Sequence, residues 1–270
     1  MFTKSSRRIL CFFLTFLMVV GICLFSAATI VRATLCSPVY MDKFLSASKI
    51  TDYNNENFKQ KISLLSENSG IPVRVFEASD NVGGYSETVV ERFYNGNDTS
   101  MFTKNKITVY EKLIIEFLEG NEEKYDEAFV HNTAIRAAEI YAECYGIKDI
   151  EYFKEFVDNT VNSYGKLASA GLVLMLISFL LILVMFENNK NACKYYLSAF
   201  TAAGLSFVFT GVICLIAGVG KGAAISPFVY SDAIFKSINF MFLIQIAVGL
   251  VLVVLSTIAS LKLNRLIKRR

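Results

Sequence analysis

Four stretches of this chain contain no Asp, Glu, Lys, Arg or His: residues 9–31, 167–186, 195–220 and 237–261. As a helix rising about 1.5 Å per residue, each reaches across a hydrocarbon core about 30 Å thick. In lipid the backbone must satisfy its own hydrogen bonds, so a helix is the form these runs are held to. The expected fold is an all-α integral membrane protein, with four transmembrane helices and one small, mostly helical extracytoplasmic domain inserted between the first and second. Composition agrees, since 54% of the 270 residues are hydrophobic and only 19% are charged, too apolar a balance for an ordinary soluble domain.

A cleaved signal peptide would also place Arg7 and Arg8 before an apolar run and Ser26, Ala27 and Ala28 near its end. The run from Ile9 to Val31 exceeds the roughly 7 to 15 apolar residues of such a signal, which favours a span. Cys36 is preceded by the bulky Leu35, which argues against lipoprotein processing.

Orientation follows from the basic residues of the short connecting pieces. Lys4, Arg7 and Arg8 fall in residues 1–8, Lys190 and Lys194 in the loop 187–194, and Lys262, Arg265, Lys268, Arg269 and Arg270 in the tail 262–270. The loop 221–236 offsets Lys221 and Lys236 with Asp232. Both termini are therefore expected in the cytoplasm of a plasma-membrane protein, with residues 32–166 and 221–236 outside. The basic tail reads as a stop-transfer anchor, able to attract anionic lipid at about 1 kcal/mol per basic residue near the surface. Residues 32–166 hold 15 basic and 22 acidic residues, and the whole chain carries a net charge of only +3. That balance excludes nucleic acid as a partner of the usual kind.

Proton relays, ion-coupled carriers and intramembrane proteases need ionisable groups at membrane depth, and these runs supply no Asp, Glu, Lys, Arg or His. Gln245 is an amide expected to bond from helix to helix. Pro38 and Pro227 lie outside the runs, so broken carrier helices are not signalled. Small residues recur every seven positions: Gly171 and Ser178, then Gly204, Gly211 and Gly218, then Gly249 and Ser256. Seven residues return to nearly the same helix face, so these positions predict a packing seam, and the face Gly204, Gly211, Gly218 could also serve self-association through the third helix.

In residues 32–166, a helix is expected from Asn54 or Asn55 through Asn68, with Phe58, Ile62 and Leu65 inward and Gly70 ending it. Ile71, Val73 and Val75 alternate, which reads as a strand over 71–76. A turn at 81–84, a short helix near 86–94 and a loop over 95–100 follow. Thr108 and Glu111 have capping-box spacing, ahead of a face formed by Ile107, Tyr110, Ile114, Phe117 and Leu118 and ending at Gly120. Asn121 is the expected cap of a helix stopped by Gly146. The last element starts near Asp149 and runs into the second span, with Gly165 as its hinge.

Cys36 and Cys144 are the two cysteines expected outside, and a disulfide between them is one reading, unrelated thiols the other. His131 is the sole histidine, and Glu127 shares its helix face. Two ligands do not make a zinc site, so a surface pair is expected, with no metal, no cofactor and no enzyme activity. Asn97-Asp98-Thr99 fits a glycosylation acceptor. The function these features support is a non-catalytic membrane protein whose extracytoplasmic domain senses, docks or scaffolds an unknown protein or ligand. In topology alone, one span, a large outer domain and three spans, the chain resembles the mechanotransmission-type ABC permeases. That layout implies the alternative of a permease-like or accessory subunit in an ATP-driven complex.

Overall fold

A computed structural model describes residues 4–47, 50–78, 94, 99–122, 124–145, 151–186, 189–219, 221 and 228–268. All regular structure among them is helical: α1 (Lys4–Ala33), α2 (Pro38–Ala47), α3 (Ile50–Ser69), α4 (Val73–Glu77), α5 (Thr99–Gly120), α6 (Glu127–Tyr145), α7 (Glu151–Met185), α8 (Asn189–Ala217) and α9 (Phe228–Lys268). Four of these, α1, α7, α8 and α9, are long and apolar enough to cross a membrane. They carry the four uncharged runs. The chain divides into a membrane unit, Met1–Met41 with Glu155–Ala223 and Ile234–Arg270, and a helical domain, Asp42–Lys154 with Ala224–Ala233.

In the membrane unit, apolar side chains point both inward and outward. Leu14, Met18 and Ile22 of α1 meet Ile182 of α7 and Ala192, Tyr196, Ala199 and Ala203 of α8 in one buried cluster. Val184 and Ile216 are each 82% exposed, which suits lipid and not water. Because lipid offers no hydrophobic drive for helix pairing, close packing has to supply it.

Glycine provides that packing at two crossings. A Cβ on Gly204 of α8 would lie 2.7 Å from the Gly249 carbonyl oxygen of α9, and one on Gly249 would lie 2.6 Å from the Gly204 carbonyl oxygen. The same reciprocity joins α1 to α7, where a Cβ on Gly21 would sit 2.7 Å from the Gly171 oxygen and one on Gly171 2.8 Å from the Gly21 oxygen. Gly211 continues the α8 face, its missing Cβ replaced by Ile246 of α9. Gly218 does not belong to the seam. It has φ +63°, and the Gly218 and Val219 N–H groups donate to Leu215 and Cys214 carbonyls at 3.2 and 3.1 Å, so it closes the C-terminus of α8.

Around these crossings several hydroxyls of the spans bond within their own helix or to the next one. Thr15, Thr29 and Thr201 donate to carbonyls four residues back, and the Thr201 and Ser256 hydroxyls meet between α8 and α9 at 2.8 Å. Tyr196 donates to the Phe179 carbonyl at 2.9 Å and stacks on that ring. Helix α7 passes unbroken through Gly165, where a Cβ would meet nothing within 4 Å.

The helical domain has a core of its own. Phe58 and Ile62 of α3, Ile71, Val75 and Phe76 around α4, Tyr110, Ile114 and Leu118 of α5, and Val130, Ala134, Ala137, Ala138, Tyr141 and Cys144 of α6 form one cluster. The alanines flatten α6 where α5 and α3 lie against it. Phe58 meets Tyr141 edge-on at 5.6 Å, Tyr141 stacks on Tyr145 at 4.3 Å, and Lys106 sets its ammonium 4.1 Å from the Tyr141 ring.

Three local expectations are corrected. Residues 73–77 are a helical turn and not a strand, because Gly70 at φ +75° ends α3 and Pro72 starts the next turn, its carbonyl accepting from Val75 N–H at 2.9 Å. A lone strand would leave its amides unpaired, whereas a turn pairs them. Helix α5 begins at Thr99, so Thr108 is interior and its capping-box spacing is incidental. Asn121 ends α5 by donating its side-chain amide to the Phe117 carbonyl at 2.8 Å, and Asp126 caps α6, accepting from Ala128 N–H at 3.2 Å. The turn expected at 81–84 and the helix near 86–94 lie outside the described residues, apart from Tyr94, and so does most of the loop over 95–100.

The crossings predict a sharp contrast between glycines. Gly204→Val or Gly21→Val should destabilise the folded chain by roughly 1 to 3 kcal/mol, because each added side chain meets backbone. Gly165→Ala should be neutral or stabilising by up to about 1 kcal/mol. Thermal melts of the purified variants in one detergent compare them directly.

Candidate functional site

At the two ends of α1, arginines rest on aromatic rings. Arg7 lies 5.4 Å from the Phe186 ring centroid and Arg32 lies 4.3 Å from that of Tyr164. Counting about 1.5 Å per residue, the two arginines are about 37 Å apart along α1, and Tyr164 and Phe186 about 33 Å apart beside α7. A bilayer is about 30 Å thick in hydrocarbon and about 40 to 45 Å with headgroups. Both stacked pairs therefore match the two interfaces, where cations and tyrosine are favoured.

Beside the Arg32 end, Tyr40 of α2 donates its hydroxyl to the Ser237 carbonyl of α9 at 2.6 Å. Burial pushes the Tyr40 phenol up from 10 to about 12. Gln245 of α9 donates to the Phe207 carbonyl of α8 at 3.3 Å, the interhelical bond expected of it. Asn239, also in the fourth uncharged run, keeps its Oδ1 buried without a hydrogen-bond partner among the described residues.

Cys36 and Cys144 are both unbridged. Cys144 is fully buried in the core of the helical domain, where it packs as a small apolar side chain. Burial raises both thiols above the ordinary value, with Arg32 pulling the other way at Cys36 and Lys61 at Cys144. At both, burial outweighs the neighbouring cation, so neither thiol is activated.

His131 pairs across helices with Glu111 of α5, its Nδ1 2.5 Å from Oε1. Its expected neighbour Glu127 lines the same cleft of about 340 Å³, together with Ile115, Tyr125 and Val130. Tyr125 donates to Glu119 at 3.2 Å, and desolvation together with the acidic surroundings raises its phenol. Among the described residues no three His, Cys, Asp or Glu side chains converge as a metal site would require. A second cleft, of about 310 Å³, lies between α3 and α6 and includes Asn55, whose Oδ1 accepts from the Tyr145 hydroxyl at 2.7 Å.

Of the other residues singled out from sequence, Gly204 and Gly211 face α9 within the chain, Gly218 is a cap, and Gly165 lies inside an unbroken helix. Lys262 and Arg265 stand exposed on the last turns of α9, which continues to Lys268, whereas Arg269 and Arg270 lie outside the described residues. Gly21, Arg7, Arg32 and Tyr40 were not singled out for packing or stacking. Their partners lie on other helices, so no spacing within one run marks them. No family model, curated protein or solved structure matches the chain.

Two predictions follow from these geometries. His131→Ala should cost no more than about 1 kcal/mol, since the His131 side chain is 58% exposed, whereas Ile114→Ala in the core should cost about 2 to 5 kcal/mol; denaturant titrations separate the two. Tyr40 contributes as a neutral phenol, so its full contribution is present below pH 10 and is lost as pH rises through about 12. Tyr40→Phe should cost about 1 kcal/mol at neutral pH, and the gap between variant and parent should close across that alkaline window.

Proposed function

We propose that this is a non-catalytic, multi-pass plasma-membrane protein in which recognition and anchoring are divided between the two units. In this reading residues 32–166 and the loop 221–236 lie outside, and both termini are cytoplasmic. The helical domain docks or senses a protein or ligand there, and the four-helix unit holds it at the membrane.

One observation carries the reading: the helical domain closes a core of its own, while the uncharged runs supply no Asp, Glu, Lys, Arg or His for proton transport or hydrolysis. Surface chemistry is left to the domain. Residues 32–166 hold 22 acidic and 15 basic residues, a balance that favours a partner presenting basic groups. The clefts beside Glu111 and Asn55 are the surfaces such a partner would read.

The alternative, an accessory or permease-like subunit of an ATP-driven complex, is favoured by α7. It is a single helix of 35 residues, about 52 Å long, whose first turn belongs to the helical domain and whose remainder belongs to the membrane unit. A stiff element of that length suits mechanical coupling.

Crosslinking in native membranes, followed by purification and mass identification, tests both. An envelope protein captured through residues 32–166 supports docking. A stoichiometric ATP-hydrolysing subunit would overturn it in favour of the alternative. In intact cells, an impermeant thiol reagent should label Lys59→Cys and spare Lys262→Cys; the reverse pattern would refute the orientation.

A further inference from the structure

At the Arg32 end of the α1–α7 pair lies a cleft of about 530 Å³ whose lining includes Thr29, Arg32, Cys36, Ser37, Val161 and Tyr164. Among the described residues that line it, Arg32 is the only charged one, and it forms no salt bridge among the described residues. The cleft is therefore positive, and it is bounded on the membrane side by Thr29, one turn back from the arginine, and on α7 by Val161. Tyr164 lies under the guanidinium at 4.3 Å. Stacking fixes a guanidinium on its flat face and leaves the N–H edge able to form a fork on an oxyanion.

The depth of this cleft narrows the choice of anion. Arg32 directly follows the uncharged run 9–31, and Tyr164 precedes the run 167–186 by three residues, which puts both within about one helical turn of the hydrocarbon edge. Phospholipid phosphates occupy that layer at high local concentration. An amphipathic cleft there can hold the phosphate and also accept the glycerol and upper acyl carbons against its apolar side.

We propose that this cleft is a binding site for the phosphate group of a membrane phospholipid, with Arg32 as the phosphate ligand and Tyr164 as the residue that positions its guanidinium. Cys36 remains a neutral thiol beside it, so the arginine carries the charge recognition. The site concerns lipid and stands whether or not the docking reading holds.

Native mass spectrometry of the full chain tests it, using dioleoyl phosphatidylglycerol, dioleoylglycerol without a phosphate, and inorganic phosphate as probes. The chain should retain phosphatidylglycerol at least about tenfold better than dioleoylglycerol, and Arg32→Gln should lower that retention by at least about tenfold. Excess inorganic phosphate should not displace the lipid. Arg265→Gln, on the last turns of α9, should leave retention by this site unchanged. Melting curves show whether Arg32→Gln still folds; if it does not, Arg32→Lys is read instead, and its loss of the planar fork should cost severalfold. Equal retention of dioleoylglycerol, full retention by the folded Arg32 variant, or displacement by inorganic phosphate, which would mark a site for a soluble anion, would each overturn the proposal.

Discussion

Two membrane helices can approach until their backbones touch only where neither carries a side chain, and among the described residues this chain meets that condition twice. Gly21 faces Gly171 and Gly204 faces Gly249, each pair so close that a Cβ on either glycine would collide with the other's carbonyl oxygen. In lipid, where apolar side chains gain nothing by leaving the acyl chains for one another, such close packing is a source of cohesion. The first pair joins α1 to α7 and the second joins α8 to α9, and the cluster of Met18, Ile22, Ile182 and Tyr196 ties α1 to both α7 and α8. The bundle follows from those contacts.

The same geometry fixes where the edges of the unit fall. Once α1 and α7 cross at Gly21 and Gly171, Arg7 reaches Phe186 at one end and Arg32 reaches Tyr164 at the other. The two cation-ring pairs stand about as far apart as the two faces of a bilayer. An arginine held flat on a tyrosine is a good phosphate ligand, so an element that anchors the helix pair also offers a lipid site. The helical domain is held separately, by a core that includes Phe58, Tyr110, Ala134 and Tyr141.

The spans were legible because an uncharged run of such length has one backbone solution in lipid. The inward faces Phe58, Ile62 and Tyr110, Ile114, Leu118 were legible for a similar reason, since helical spacing leaves few alternatives. Local chemistry was harder to read. Ile71, Val73 and Val75 alternate like a strand, but Gly70 and Pro72 break the chain on either side of Ile71 and turn the next five residues into a helix. Gly218 continues the spacing of Gly204 and Gly211, yet it falls just past the helix end, where a left-handed residue is needed. Gly21 is the single glycine of its run, and its meaning comes from Gly171, some 150 positions away. Arg32 and Tyr164 are the same kind of case, a site assembled from two helices that no motif connects.

The central claim is that the glycine face of α8 is filled by α9 of the same chain. Thr201 and Ser256, whose hydroxyls lie 2.8 Å apart, report on it directly. In a background lacking the native cysteines, Thr201→Cys with Ser256→Cys should oxidise in native membranes to an intrachain disulfide, seen as a reducible change in mobility of the monomer. A crosslinked dimer as the main product would instead place α8 against a second copy and contradict the account.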